Sequence, residues 1–430
     1  MTHYLLSKMA IIQIPYGLSQ LHLNADFPFD LYDQKEYTSA HDPLGVVVQA
    51  LQNPLDQQDI NWSPPPKTAA ISINDKTRPV PYSFILPPLL DWLNQRGIPD
   101  KEIEFLIATG THSPATNEEV QKIIPASILS RNKIRISSHN CDDKDNLIFL
   151  GATQRNTPVW VNKRFYQADL RIVTGNIEPH HFMGFSGGAK SAAIGLAGRE
   201  TINHNHAMLN DPCAFLGEYQ HNPMRQDVEE IGKMMGIHLA LNVILSSKRQ
   251  IITALFGTPH AVMEKGISIS DELWTVSVSS AYDLVIASAG GHPKDINLYQ
   301  AQKAITHAAL FARPNGVIIL VAACPEEIGN QKALEFLEPI STPDQAIARF
   351  KQMEFRIGPH KAFQIALQAK RNHIILVSEM PDDLVKKFFF IPAKSLEQAV
   401  EFACHILPAN FTTVVLPHAT SLLPKFTSQN

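Results

Sequence analysis

Two α/β domains, each with a mostly parallel sheet flanked by helices, are the fold class this sequence predicts, and three observations carry it. Short apolar runs rich in Val, Ile and Leu alternate with helix-compatible segments, which is the rhythm of βαβ units. The same rhythm resumes in the last third of the chain after a break near Trp274. A length of 430 residues exceeds what one ordinary core organises. Residues 1–273 are therefore expected as an N-terminal catalytic domain and 274–430 as a C-terminal one, with the last strand a candidate to return to the first domain.

Taken in order, residues 10–35 read as a short strand and a Pro/Gly turn, and a polar stretch then reaches the proline-rich connector at Ser63 to Lys67. Residues 68–73 form an apolar strand, 82–95 a helix stopped by Gly97, and 102–108 the next strand. A helix follows from Thr116, whose Glu119 completes the form of a capping box. The strand 170–175 leads into a glycine-rich passage ending at Lys190, and 191–197 continue with helix-compatible residues. A polar helix holds Met263 to Lys265. Beyond the boundary, 282–288 is a strand, 296–313 a helix, and 316–323 and 373–378 are buried strands. In such sheets ligands belong at the carboxyl ends of the strands.

Composition narrows the function. Thirty-seven Lys and Arg stand against 41 Asp and Glu, a formal charge of −4 with no basic run. That leaves no electrostatic footprint for nucleic acid or an anionic membrane, and points to small-molecule chemistry. The four cysteines, Cys141, Cys213, Cys324 and Cys404, lie far apart without a C-x-x-C pair. This argues against a zinc ribbon, a redox dithiol or a disulfide framework, and they read as reduced core residues. The N-terminal stretch is broken by Lys8, Gln13 and Pro15, unlike a signal peptide, and no segment approaches transmembrane length. A cytoplasmic enzyme is the expectation.

Three polar clusters fall at predicted strand ends. In the first, Asn74 to Pro79, Arg78 has the planar fork to grip a carboxylate, with Asp75 orienting it; a surface ion pair at a proline turn explains the same residues. In the second, Ala108 to Pro114, His112 stands where a general acid/base is placed, though a loop histidine is as simply solvated. The third runs from Gly175 to Lys190 and on to His206, with four histidines between 180 and 206. Their density points to metal ligation or proton transfer, with His181 and His204 read as helix-surface or supporting residues. In the C-terminal half, the glycine turn at Gly290 precedes a helix on which Tyr299, Gln300 and Lys303 share one side.

A glycine-rich turn opening a helix presents backbone N–H groups to an anion. Accordingly, Gly184 to Ser191 nearly matches the phosphate loop of nucleotide hydrolases, with Ala189 replacing the second glycine. An ATPase is the rival reading here. Against the ATPase, residues 176–183 intervene between strand and loop, and no second strand ends in a convincing magnesium-binding Asp.

Taken together, Asp75 to Pro79, Ala108 to His112, Glu178 to His180, Gly184 to Lys190, Asn205-His206, Asn222-Pro223 and Tyr299-Gln300-x-x-Lys303 resemble, in this order, the nickel-dependent lactate racemase family. The resemblance implies an isomerase of 2-hydroxy acids whose hydride acceptor is a nickel pincer nucleotide, the pyridinium-3-thioamide-5-thiocarboxylic acid mononucleotide. It implies covalent attachment at Lys190, with Ser186, Gly187 and Gly188 making room for the nucleotide, and His206 completing a tetragonal Ni(II) site. His112 and His180 would be the two acid/bases. Arg78, Gln300 and Lys303 would position the substrate carboxylate, with Tyr299 close by and Asp75 supporting Arg78. The site would occupy an interdomain cleft, and the partners would be the 2-hydroxy acid and cofactor-building proteins. Two departures stand out: residues 191–198 lack the Pro-Gly step of many relatives, and Phe363 is either the aromatic residue expected near the substrate or a core phenylalanine.

Overall fold

The computed structural model describes all residues except 1–3, 7–9, 34–36, 57–61, 132, 247, 354, 357 and 428–430, so Lys8 lies outside the described residues. The chain divides into two compact units, one being Glu36–Leu273 and the other Met1–Lys35 together with Trp274–Asn430. Both are mixed α/β with parallel-dominated sheets. The first 35 residues thus leave the domain expected at 1–273. Their strand Phe29–Leu31 pairs in parallel with Thr413–Leu416, and Tyr4–Leu6 adds an antiparallel edge. Ile14, Leu23 and Phe29 are buried there in one core with Leu284, Ile319 and Val415. Nor does the last strand cross to the other unit, since Leu423–Phe426 pairs in parallel with Thr275–Val278.

In the Glu36–Leu273 unit, six strands lie in the order Ile251–Gly257, Leu239–Leu245, Leu170–Asn176, Ala69–Asn74, Ile103–Ala108, Arg135–Ser138. All neighbours are parallel except the Ile251–Gly257 edge. Every residue of Ala69–Asn74 and of Leu239–Leu245 is buried, as strands covered on both faces must be. The chain starts in the middle at Ala69–Asn74, builds outward through Ile103–Ala108 and Arg135–Ser138, then returns to the opposite side with Leu170–Asn176. That reversal is a topological switch point, and it opens a crevice at the carboxyl ends of Ala69–Asn74 and Leu170–Asn176. Tyr82 ties the two ends together, its hydroxyl lying 2.6 Å from the Asn74 nitrogen and 3.3 Å from the Thr174 hydroxyl.

The expected helices and strands are present, including the Thr116 capping box and the helix Tyr82–Gln95, which runs through Pro87 and Pro88. A helix at Pro43–Gln52 occupies part of the stretch read as polar; Asp42 caps it through the Gly45 N–H, and Val47 and Leu51 are buried. The helix after Lys190 is only Lys190–Ala193, much shorter than expected. Among the cysteines, Cys141 and Cys324 are buried, but Cys404 is exposed, and all four are unbridged. Phe363 is a core residue, stacked on Phe350 at 4.5 Å between ring centroids. No helix among the described residues is long and apolar enough to cross a membrane.

In the other unit the main sheet has the order Tyr4–Leu6, Phe29–Leu31, Thr413–Leu416, Tyr282–Ser288, Ala312–Val321, His373–Val377, Ile391–Ala393. Helix Leu298–Phe311 follows the carboxyl end of Tyr282–Ser288, capped by Asn297, whose side chain accepts from the Gln300 N–H.

Candidate active site

All three polar clusters of the Glu36–Leu273 unit leave adjacent strands of its sheet at their carboxyl ends. Asp75 joins the first two. Its Oδ1 accepts from the Thr77 N–H and hydroxyl at 3.1 and 2.6 Å, and its Oδ2 lies 2.7 Å from His112 Nδ1. A carboxylate can only accept, so His112 carries its proton on Nδ1 and keeps the Nε2 lone pair. Burial raises the Asp75 carboxyl, but the hydrogen bonds from His112 and Thr77 outweigh it and hold the group below its ordinary value. The side chain Asp75 orients is therefore His112. Arg78, expected to be the one supported, donates its backbone N–H to the Asp75 carbonyl at 3.1 Å, and its charge adds to the lowering of the Asp75 carboxyl.

The third cluster opens with a short hairpin, Pro179–His180 against Gly184–Phe185. His180 is 8% exposed, and its ring stacks on His181 at 4.9 Å and meets Phe182 edge-on at 4.6 Å. The Met183 N–H donates to His180 Nδ1 at 3.3 Å, so the neutral ring carries its proton on Nε2. Phe182 also meets the His206 ring, at 5.7 Å. On helix Arg199–Ala207, His206 Nδ1 lies 2.9 Å from the Ile202 carbonyl. A carbonyl only accepts, so this imidazole keeps its Nε2 lone pair, the arrangement common to metal-ligating histidines.

Lys190 begins the four-residue helix and is 8% exposed. Among the described residues its amine makes no hydrogen bond and no ion pair. Burial first, then the Arg78 and Arg225 charges, hold its pKa far below the ordinary lysine value. Burial followed by Lys190 likewise depresses His180, well below its ordinary value, and His206, to about 4. Arg78 contributes to all three shifts, which places these four groups within electrostatic reach of one another.

The glycine turn is not an open anion cradle. Gly188 donates its N–H to the buried Asn242 Oδ1 at 2.7 Å, and Ser186 donates both N–H and hydroxyl to the Glu178 carbonyl at 2.9 and 3.2 Å. Close packing is what the glycines permit here. At Gly184 (φ +71°) a Cβ would lie 1.8 Å from the Glu218 carbonyl oxygen, and at Gly188 (φ +58°) it would lie 2.5 Å from Met263 Cγ. Gly184→Ala is expected to lower stability by about 3 kcal/mol, because a backbone clash adds to a left-handed conformation; thermal unfolding followed by circular dichroism checks it.

Arg225 and Asn242 are two functional neighbours that the sequence reading passed over. Arg225 is fully buried, donates to the Phe185 and Gly187 carbonyls at 3.1 and 3.2 Å and pairs with Glu229 at 2.5 Å. Asn222, which the resemblance did include, caps its helix through the Arg225 N–H. His204 stays outside the group, its Nδ1 lying 3.0 Å from the Thr157 hydroxyl, which donates to the buried Asp227. Among the described residues no three His, Cys, Asp or Glu side chains form a metal cluster.

Tyr299, Gln300 and Lys303 belong to the other unit, on the first turns of helix Leu298–Phe311, where Lys303 Nζ donates to Gln300 Oε1 at 2.7 Å. All three are half-buried, and burial raises the Tyr299 phenol.

Comparison with known proteins gives the family. Residues 16–217 match the lactate racemase N-terminal domain and residues 277–423 the lactate racemase C-terminal domain. The lactate racemase of Thermoanaerobacterium thermosaccharolyticum is 29% identical over 432 aligned residues, taking in 96% of this chain and 99% of that one. The lactate racemase of Lactiplantibacillus plantarum is 31% identical over 411, covering 92% and 95%. The solved structure of the T. thermosaccharolyticum lactate racemase apoprotein superposes with a TM-score of 0.87 at 28% identity, over 97% of this chain and all of that one. A crystal structure of a Thermotoga maritima protein, 16% identical with a TM-score of 0.61, shares the fold. The chain belongs to the lactate racemase family of isomerases.

Proposed function

We propose that this protein racemises lactate or a closely similar 2-hydroxy acid, with His112 and His180 as acid/bases and a nickel pincer nucleotide held covalently by Lys190. The observation that carries the reading is the Lys190 amine, buried, without an ion pair among the described residues and with its pKa pushed well below the ordinary lysine value, chiefly by burial. An environment that disfavours the ammonium form favours a nucleophilic amine, whereas a lysine kept as a counter-charge needs the opposite environment. The donor set fits in part: His206 has its Nδ1 directed to the Ile202 carbonyl and lies within electrostatic reach of that amine, while Ser186, Gly187 and Gly188 are taken up by internal hydrogen bonds and packing.

When bound, the cofactor would supply an acceptor for the hydrogen on the substrate's chiral carbon. The protein's own task is then the hydroxyl proton, the carboxylate and the water. Removing hydride and hydroxyl proton together avoids the dianion that deprotonation beside a carboxylate would create, and passes through a 2-keto acid. The two enantiomers present their hydroxyls to opposite sides, so a base is needed on each. His112 Nε2 serves one, steadied by Asp75 on Nδ1; His180 serves the other, and since its Nε2 already carries the proton while Nδ1 accepts from the Met183 N–H, it must give up that contact to take a proton as base. Arg78, Gln300 and Lys303 hold the carboxylate, with Tyr299 beside them.

The test is to produce the chain together with cofactor-building proteins and measure intact mass, nickel content and conversion of D- to L-lactate. A mass increment with nickel and racemisation supports the reading; an unmodified, nickel-free chain under those conditions rules it out. A further prediction concerns Asp75. Asp75→Ala is expected to lower kcat on the order of 10- to 100-fold with nickel content unchanged, because His112 loses its tautomer and orientation but stays in place.

A further inference from the structure

Helix Pro223–Met234 packs against both the short helix that begins at Lys190 and helix Arg199–Ala207, which carries His206. Residues two apart on a helix point to nearly opposite sides, and Arg225 and Asp227 divide the work in that way. On one side Asn222 Nδ2 donates to the Phe182 carbonyl at 3.0 Å, and Arg225 donates to the Phe185 and Gly187 carbonyls. The loop leading to Lys190 is thereby fastened to the helix. On the other side Asp227, 0% exposed, accepts from Thr153 Oγ1 at 2.7 Å, Thr157 Oγ1 at 3.0 Å and Asn205 Nδ2 at 2.9 Å. Asn205 Nδ2 also donates to the Met224 carbonyl at 3.0 Å, and His206 is the next residue.

The helix of His206 depends on such bonds. Ile202 is its one large apolar side chain, so polar residues anchor it. Thr201 Oγ1 accepts from the Trp160 N–H at 2.8 Å and donates to the Pro158 carbonyl at 2.6 Å, while His204 and Asn205 reach Asp227, the first by way of Thr157. Hydrogen bonds are directional where apolar contact is not, and they fix the roll of a helix as well as its position. The three donors to Asp227 are all neutral. A carboxylate withdrawn from water among neutral donors costs free energy that an apolar residue in the same place avoids. A cofactor anchored on one lysine and coordinated by one histidine needs the span between them held to about 0.5 Å.

We propose that Asp227 is a positioning residue for His206, and that helix Pro223–Met234 is the spacer that sets the span from the Lys190 loop to the metal ligand. The proposal rests on the racemase reading above and extends it to a residue outside the motifs that identify the family.

The test compares the full chain with Asp227→Ala and Asp227→Asn, at a temperature below every Tm. Produced with cofactor-building proteins, Asp227→Ala should carry the same mass increment but release nickel to EDTA on the order of 10- to 100-fold faster, the usual effect of removing support behind a metal ligand. Asp227→Asn, which keeps the shape and an acceptor for Asn205, should recover most of the retention. In the apoprotein, the nuclear Overhauser contact between the His206 and Phe182 rings, whose centroids are 5.7 Å apart, should weaken in Asp227→Ala and persist in Asp227→Asn. A residue that serves folding alone would lower Tm and leave nickel release and ring contact unchanged, and that result overturns the proposal. So does a lost mass increment with the ring contact intact, which would assign Asp227 to the Lys190 side. Where Asp227→Ala does not fold, Thr157→Val removes one of the three donors at constant shape and should also speed nickel release; unchanged release and ring contact there overturn the proposal. An unaltered chain that takes up neither nickel nor the mass increment counts against the racemase reading, while the ring contact in the apoprotein still decides whether Asp227 positions His206.

Discussion

Lys190→Ala, produced alongside the cofactor-building proteins, should have the mass of the bare polypeptide, hold no nickel and show racemisation at background. The effect should be complete because covalent attachment has no substitute: His206 alone offers one ligand, and one imidazole does not retain a metal against chelators. Lys190→Arg sharpens the point. It preserves a positive charge of similar reach, but a guanidinium stays protonated and is no nucleophile, so it should fail as completely as alanine. A counter-charge role for Lys190 predicts the opposite, with arginine largely active. Intact-mass spectrometry and metal analysis decide between them without an activity assay, and nickel with a mass increment in Lys190→Ala would sink the covalent reading.

Loss of either histidine comes next in size. His112→Ala and His180→Ala should each lower kcat on the order of 10²–10⁴-fold with nickel content intact. The loss should be similar from D- to L-lactate and from L- to D-lactate, because every racemising turnover uses both sides. A variant that keeps activity within a few-fold in either direction removes that histidine from the mechanism. In the proposed mechanism the histidines handle only the hydroxyl proton, so lactate racemised in D2O should keep protium on its chiral carbon; deuterium appearing there would mean carbon deprotonation instead.

The placing of the candidate site's polar clusters was legible in the sequence because they directly follow apolar runs. Asp75 to Pro79 and Ala108 to His112 are placed by the strands they terminate, and a parallel sheet brings such ends together. What the sequence hid is tertiary. Arg225 reads as one more charged residue on an amphipathic helix, and only its contacts with the Phe185 and Gly187 carbonyls reveal its role. Asp75 stands in the same turn as Arg78, which made that pairing look natural, yet the hydrogen bond goes to His112 on the neighbouring strand end. Helix Pro43–Gln52 was obscured by its Val46-Val47-Val48 run, since β-branched residues lower helix propensity. The short helix at Lys190 ends early because the backbone turns at Gly195, where a Cβ would lie 2.2 Å from the Ser191 carbonyl oxygen.

The pairing of Phe29–Leu31 with Thr413–Leu416 has a consequence for how the protein is made. The Glu36–Leu273 unit is inserted between the two chain segments that build the other sheet. During translation the strand Phe29–Leu31 emerges before the inserted unit, and its partner Thr413–Leu416 only after it. At about 5–20 residues per second, that strand waits some tens of seconds, its hydrogen-bonding edge unpaired, while the inserted unit has all its strands available and can fold on the ribosome. A chain truncated before Thr413 should therefore yield a folded Glu36–Leu273 unit with the Phe29–Leu31 strand lacking its parallel partner and prone to aggregate.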